Sequence, residues 1–232
     1  MSKSSFFTVN AKAPVADRAN GVYIYDTDGK RYLDGSGGAM TVSLGHSNPD
    51  ILDAMKAQLD KITFSYRSQF TSEPLEELCR RLAEKLPGRV SLANSGSEAT
   101  ELALKLSHSY WRAQGRPEKH RVISRWSSYH GSTVGSLSMS GNAGRRKEYQ
   151  PYLSDWPSLE LPLCSHCPYR MTHPDCGLYC ADQLERLIAR IGKDNISAAI
   201  FEPITGASGA GITPPDDYFP RIQEICHKND VL

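Results

Sequence analysis

The chain has 232 residues, with 27 Lys or Arg against 26 Asp or Glu, which gives a formal net charge of +1 at pH 7. That balance offers no electrostatic basis for binding nucleic acid or an anionic membrane. Hydrophobic residues make up 39% and no apolar run is long enough to span a bilayer, so we expect a soluble globular protein. The start, M-S-K-S-S-F-F-T-V-N, lacks the apolar core of a secretory signal and predicts a cytoplasmic protein.

The N-terminal part predicts a hairpin and two helices. In residues 21–34, Val22 and Ile24 alternate with tyrosines, and Asp28-Gly29 suits a tight turn. A glycine-rich, irregular stretch follows. A helix capped by Asn48 and a second helix over 73–86 are then predicted. Each has leucine-rich apolar spacing on one face, carried by Ile51, Leu52, Met55 and Leu59 in the first and Leu75, Leu78, Leu82 and Leu86 in the second.

From residue 89 onward, strand and helix patterns alternate. Strands are predicted at 89–93, 121–126 and 198–203, and helices at 98–113 and 217–228. This alternation is typical of an α/β fold with a mostly parallel sheet and helices on both faces. The final D-V-L resembles the first residues of another core strand, so we expect a sheet that is incomplete at the C-terminus.

The stretch N-S-G-S-E-A at 94–99 lies where a strand should turn into a helix, and two interpretations compete. A capping box explains Ser95 and Glu98, because Ser95 would cap the helix and the Glu98 side chain would reach back to the N–H of Ser95. It does not explain Gly96 and Ser97, since glycine weakens a first helical turn. A phosphate seat explains both, because glycine allows close approach to unpaired N–H groups at a helix start.

Two more polar segments follow predicted strands. Tyr129 and His130 come after the strand at 121–126, and Glu202 lies at the end of the strand at 198–203. Carboxyl ends of parallel strands share one edge of a sheet, where ligands bind. Each residue also has an ordinary alternative: a core aromatic, a loop histidine bonded to backbone, and a surface acid before a turn. Three such positions together favour a binding site.

These segments together resemble a known family. N-S-G-S-E-A-T-E-L-A-L-K-L is similar to the phosphate-binding segment of class III aminotransferases, which use pyridoxal 5′-phosphate (PLP) on a type I fold. S-S-Y-H-G-S-T resembles the family's ring-stacking segment, and F-E-P-I-T-G-A-S-G-A-G its glutamate-proline strand and loop. Y-D-T-D-G-K-R-Y-L-D-G-S-G-G resembles its N-terminal segment. The match runs in order from about Gly21 to the end.

The resemblance implies a role for each matching residue. Ser95, Gly96 and Ser97 would bind the cofactor phosphate. Tyr129 would stack on the pyridine ring with His130 beside it, and Glu202 would organise the polar network on the ring's hydroxyl side. Residues 1–58 would contribute to a small domain and dimer contacts, and 59–232 to a truncated large PLP-binding domain of a homodimer.

The implied reaction moves an amino group from an amino acid or amine to an oxo acid. The Schiff-base lysine and the aspartate that faces the pyridine nitrogen are expected beyond Leu232, so no catalytic residue is assigned in this chain. We therefore expect the N-terminal part of a transaminase that does not turn over alone. Ala207 stands where one branch of the family has a second glutamate for 2-oxoglutarate, which favours pyruvate as the acceptor.

Two alternatives stay open at this point. Another enzyme on the same scaffold, an aminomutase, racemase or decarboxylase, could share every motif. A non-catalytic PLP- or zinc-binding remnant is the second alternative.

A cysteine-rich stretch, residues 163–180, falls outside the family motifs. It holds Cys164, Cys167, Cys176 and Cys180, whose first pair has the two-residue gap common in zinc knuckles. Four thiolates would complete a tetrahedral structural zinc site. The alternative is a reduced loop that packs on the large domain, favoured by the looser gap of the second pair.

Overall fold

A computed structural model describes residues 13–232. The chain divides into two compact units, the first ending at Val90 and the second beginning at Ser91. The opening ten residues, from which a cytoplasmic address is inferred, lie outside the described range. The division at residue 58 stays a prediction. Over residues 13–232, no helix combines the length and apolar character needed to cross a membrane.

The N-terminal unit holds an antiparallel three-stranded sheet in the order β1-β2-β3. Its strands are β1 (Ala16–Asn20), β2 (Tyr23–Asp26) and β3 (Arg31–Leu33). The predicted hairpin is β2 and β3, and its turn is organised by Asp26, whose carboxylate accepts from the backbone N–H of Lys30 at 2.8 Å and from the Tyr32 hydroxyl at 2.8 Å. β1 is not predicted from the sequence, because A-D-R-A-N lacks apolar alternation.

Three helical segments complete this unit: α1 (Gly37–Met40), α2 (Pro49–Lys61) and α3 (Glu73–Lys85). α1 is a short turn in which Gly38 and Ala39 take left-handed backbone angles. Asn48 caps α2 as predicted, since its side chain accepts from the N–H of Asp50 at 3.0 Å. The apolar face of α2 is exposed rather than buried, along with aromatic side chains of the connection to α3.

The C-terminal unit is built on a parallel sheet in the order β5-β4-β6. Its strands are β4 (Arg121–Arg125), β5 (Ser158–Leu159) and β6 (Ile196–Ala199). Leu232 lies beside β6, donating to the carbonyl of Ser197 at 3.1 Å and accepting from the N–H of Ala199 at 2.8 Å. This agrees with the prediction that D-V-L joins the sheet.

Five helices accompany this sheet: α4 (Gly96–Ala113), α5 (Val134–Met139), α6 (Ala143–Arg146), α7 (Tyr179–Ile191) and α8 (Tyr218–Lys228). Ile123 of β4 packs with buried side chains of α7 and α8. Its neighbour Val122 lines an apolar groove with α4. Because successive strand residues point to opposite faces, helices cover both faces of the sheet. The predicted α/β architecture is confirmed.

Two predicted strands differ from the structure. Residues 89–93 form no strand, because no neighbouring strand pairs with them in the described chain. The predicted strand at 198–203 lies earlier, at Ile196–Ala199, since Phe201 and Glu202 already turn away from the ladder. α7 is an unpredicted helix, and the residue that precedes it, Leu178, has left-handed backbone angles and makes no side-chain capping hydrogen bond.

Candidate functional site

The first turn of α4 keeps two backbone N–H groups free. Ser95 caps the helix by accepting from the N–H of Glu98 at 3.2 Å, and the Glu98 carboxylate accepts from the N–H of Asn94 at 2.8 Å. A capping box therefore forms, although Glu98 bonds one residue earlier than predicted. Within residues 13–232, the N–H groups of Gly96 and Ser97 have no acceptor. They lie at the positive end of an 18-residue helix.

α4 begins with a glycine, whereas the two long helices of the N-terminal unit each have a proline in the first turn. α2 begins with Pro49, and α3 carries Pro74 in its first turn. Proline is favoured there because the first N–H groups have no helical acceptor. A side chain at Gly96 would meet no atom within 4 Å. The start of α4 thus combines free donors with open space, which suits an anion.

A loop after β4 packs against this helix start. The Ser97 hydroxyl oxygen accepts from the N–H of Ser132 at 3.0 Å, which leaves its hydrogen available for donation. The Thr100 hydroxyl donates to the carbonyl of His130 at 2.7 Å. Gly131 fits here because a Cβ at its position would lie 2.6 Å from the Ser97 oxygen.

Glu202 connects the same loop to the segment after β6. Its two carboxylate oxygens accept from the N–H of Tyr129 at 3.0 Å and from the N–H of Gly206 at 3.1 Å. The Arg125 guanidinium donates to the Glu202 backbone carbonyl. The structure therefore brings together Ser97, Tyr129, His130 and Glu202, which are far apart in the sequence. In this arrangement, Glu202 holds the loop in place through backbone contacts.

The Tyr129 ring is half-buried and carries a cation on one face. The Arg145 guanidinium carbon lies 4.7 Å from the ring centroid, within the range of a cation–π contact. A planar ring has two faces, and Arg145 lies over one of them. Stacking of a cofactor ring on the other face stays a prediction.

His130 is a buried imidazole with an unused nitrogen. Its side chain is 8% exposed, and its Nε2 atom has no hydrogen-bond partner. Burial lowers the pKa of His130, with Arg125 adding to the effect and Glu202 opposing it. The ring is therefore neutral at pH 7 and can accept or donate at Nε2, depending on its tautomer.

Three side chains contribute to this arrangement without being predicted. Arg125 and Arg145 make the contacts described above. The Glu101 carboxylate accepts from the Thr133 hydroxyl at 2.6 Å and from the N–H of Gly135 at 2.9 Å, so it caps the start of α5. The sequence signal for Arg125 is a charged residue inside the predicted core strand R-V-I-S-R-W. The other two contacts are non-local and leave no such signal.

The four cysteines of residues 163–180 lie around one small cavity, together with His173. All are free thiols, and burial raises the pKa of Cys180 to about 11. In the part of the chain that the structure describes, no three His, Cys, Asp or Glu side chains stand in an arrangement that could hold a metal. The zinc site thus stays a prediction.

The residues of the candidate site fit pyridoxal phosphate in three respects. Free N–H groups at Gly96 and Ser97 suit a phosphate dianion, and the half-buried ring of Tyr129 is a group on which an aromatic ring can stack. The unpaired Nε2 of His130 is a polar group that a ligand could satisfy.

Comparison with known proteins agrees with this geometry. The family model "Aminotransferase class-III" matches residues 7–232. The chain is 46% identical to the uncharacterized aminotransferase YodT of Bacillus subtilis (strain 168), over 94% of this chain and 50% of that protein. It is 35% identical to a putrescine–pyruvate aminotransferase of Pseudomonas aeruginosa, over 95% of this chain and 49% of that protein.

The fold also matches a solved enzyme. The PLP-bound amine transaminase from an uncultivated Pseudomonas species superposes with a TM-score of 0.92 at 33% identity, covering 100% of this chain and 55% of that one. The expected type I fold is confirmed. The chain spans about half the length of the curated relatives it matches. On these matches, the chain belongs to the class-III aminotransferase family.

Proposed function

We propose that this chain supplies the phosphate-binding part of a PLP-dependent aminotransferase. The observation that carries the proposal is the pair of free N–H groups at Gly96 and Ser97, beside the Ser97 hydroxyl. Three donors that converge at a helix start match the oxygens of a phosphate group. When bound, PLP supplies an electron sink for the amine-bearing carbon of the substrate.

The remaining site residues hold the ring region in place. Tyr129 presents one ring face while Arg145 covers the other. Glu202 fixes the Tyr129 backbone through its carboxylate, so the tilt of the ring depends on an acid that is not itself a reacting group. His130 offers a neutral nitrogen from a buried position.

The proposed reaction transfers an amino group from an amine or amino acid to an oxo acid, in a homodimer. We propose pyruvate in preference to 2-oxoglutarate, for two reasons. The exposed Ala207 has no charge with which to pair an arginine. A relative whose printed name specifies pyruvate is 35% identical.

The test uses the purified natural gene product with added PLP. It is incubated with an amine such as putrescine and with either pyruvate or 2-oxoglutarate, and the amino acid formed is quantified by mass spectrometry. We expect alanine to form faster than glutamate. Glutamate formed faster than alanine would overturn the acceptor assignment alone.

Two further outcomes separate the alternatives. A product that forms from the amino substrate without any oxo acid would indicate an aminomutase, racemase or decarboxylase. Failure of the protein to change the absorption spectrum of added PLP would refute the cofactor assignment itself.

A further inference from the structure

The cysteine segment, residues 160–178, has little backbone support. It contains one short 3₁₀ turn, Cys164–His166, and a few local hydrogen bonds, such as Cys176 N–H to the carbonyl of Thr172 at 2.8 Å. Among the described residues, one backbone hydrogen bond of 160–177 reaches outside the segment: the carbonyl of Cys176 accepts from the N–H of Tyr179, in the first turn of α7, at 3.1 Å. A side-chain contact between His173 and Asp217 at 3.2 Å links it to the start of α8. A long loop of this kind needs another source of order.

Four thiols from both ends of the segment border one void. Cys164 and Cys167 come from its start, Cys176 from its end, and Cys180 from the first turn of α7. The void measures about 20 Å³, enough for a single water-sized atom. Its other lining residues are mainly leucines, prolines and tyrosines, so it offers a water molecule few partners.

Four cysteine sulfurs around one cavity favour a soft or borderline metal ion. Carboxylates do not line the void, so a hard cation such as Ca²⁺ or Mg²⁺ has no suitable ligands there. Thiolates select soft or borderline ions, and a closed set of four favours tetrahedral Zn²⁺ with Zn–S bonds of about 2.3 Å. The thiols do not stand in that arrangement without metal. Metal binding would therefore require the sulfurs to turn toward the shared void, by rotation between staggered side-chain rotamers.

We propose that Cys164, Cys167, Cys176 and Cys180 bind one zinc ion that ties the two ends of the cysteine segment together. Binding replaces four S–H bonds with four Zn–S bonds and releases four protons to solvent, with no change of oxidation state. The ion joins the segment to α7, whose Ala181, Leu184 and Ile188 lie in the hydrophobic core. Its role is therefore structural, and it is independent of PLP.

The test measures zinc in the full 232-residue chain, prepared without an affinity tag from zinc-supplemented cells and dialysed against metal-free buffer. We expect about one zinc per chain by elemental mass spectrometry. The Cys164→Ser and Cys176→Ser variants should lose it. Cys79→Ser is the matched control, because this cysteine lies on α3 in the other unit, and it should keep the zinc.

A second measurement avoids dependence on the folding of the variants. The metal-free wild-type chain is titrated with Co²⁺, and thiolate-to-metal charge-transfer absorption is expected to saturate at one equivalent and to disappear on addition of zinc. Counting reactive thiols should show four fewer with zinc than without it.

Three results would overturn the proposal. The first is a dialysed chain that holds no zinc and gives no Co²⁺ thiolate absorption. The second is equal zinc loss in the control and cluster variants. The third is a native chain in which these cysteines are joined as disulfides. None of them would affect PLP binding, so failure here is distinguishable from failure of the proposed function.

Discussion

Replacing Gly96 by proline tests the free N–H groups at the start of α4. The backbone accepts the change, because Gly96 is the first helical residue, and Ser95 has φ −152° and ψ 160°, the extended region that precedes proline favourably. No atom lies within 4 Å of a Cβ at this position. Gly96→Pro therefore removes one N–H donor while the helix stays intact.

The lost donor sets the expected magnitude. A hydrogen bond to a charged acceptor is worth about 1.5–3 kcal/mol. At about 1.4 kcal/mol per factor of ten, Gly96→Pro should weaken PLP binding by roughly 10- to 100-fold. Gly96→Ala keeps the N–H and adds a methyl group that meets no atom of the chain within 4 Å, so it should bind PLP more tightly than Gly96→Pro does.

The assay is equilibrium dialysis of the full chain with PLP and with pyridoxal, which lacks the phosphate. Affinity for pyridoxal should be equal in the wild type and both variants, since the changed donor faces only the phosphate. Circular dichroism checks that the helix content is unchanged. If folded Gly96→Pro binds PLP as tightly as Gly96→Ala does, the phosphate assignment is wrong.

Three further predictions concern stability of the C-terminal unit. Glu101→Gln should destabilise it by about 1 kcal/mol at pH 7, since the α5 cap loses its charge and the partial exposure limits the loss. Trp111→Phe should cost about 1–3 kcal/mol in urea unfolding, because the indole N–H donates to the buried carbonyl of Ser197 at 2.8 Å. Gly141→Ala should cost about 3 kcal/mol or more, because its Cβ would lie 2.2 Å from the backbone oxygen of Arg125.

The pH dependence of the Glu101 variant has a defined sign. Burial acts to raise the pKa of Glu101, but hydrogen bonds from Thr133, Ser136 and Gly135 outweigh it, with help from Lys105, and the pKa is lowered. The stability that the carboxylate contributes is thus complete above the unfolded pKa of about 4.3 and is lost as pH falls through the lower folded value. A gap between wild type and Glu101→Gln that persists unchanged in acid would contradict this cap.

The two other changes have their own checks. Gly144→Ala is the control for Gly141→Ala, because its Cβ would approach only a side-chain oxygen of Asn142, at 3.5 Å. Soluble, wild-type-like Gly141→Ala protein would show that the backbone here can shift. Unchanged urea unfolding of Trp111→Phe would show that the carbonyl of Ser197 is satisfied without the indole, since Leu232 also donates to it.

Features with local causes were predictable from the sequence. Asn48 and Ser95 each accept a hydrogen bond from the helix that they precede, so the cap and its helix lie in one short stretch. The short stretch R-V-I-S-R, with its β-branched Val122 and Ile123, likewise forms β4. Gly96 stands out in the sequence for a similar local reason, because glycine weakens a first helical turn, and its phosphate-binding role stays a prediction.

Features that depend on contacts between residues far apart in the sequence could not be predicted. α7 has apolar residues at helical spacing but no polar N-cap residue. Because it directly follows the cysteine segment, its start has no boundary signal in the sequence. The contacts of Glu202 with Tyr129 and Gly206 depend on how two strands align, and the position of Arg145 over Tyr129 depends on a turn 16 residues later. No pattern within a short window encodes such alignments.

The segment from Gly88 to Ala93 carries a consequence for handling this protein. Its backbone N–H and C=O groups make no hydrogen bonds in the described chain, and Leu92 is 43% exposed. Unpaired backbone groups of this kind can bond to an extended segment of another molecule, including the same segment of a second copy. Concentrated samples should therefore self-associate in proportion to concentration, and a substitution such as Leu92→Lys should keep them monodisperse without changing the first turn of α4.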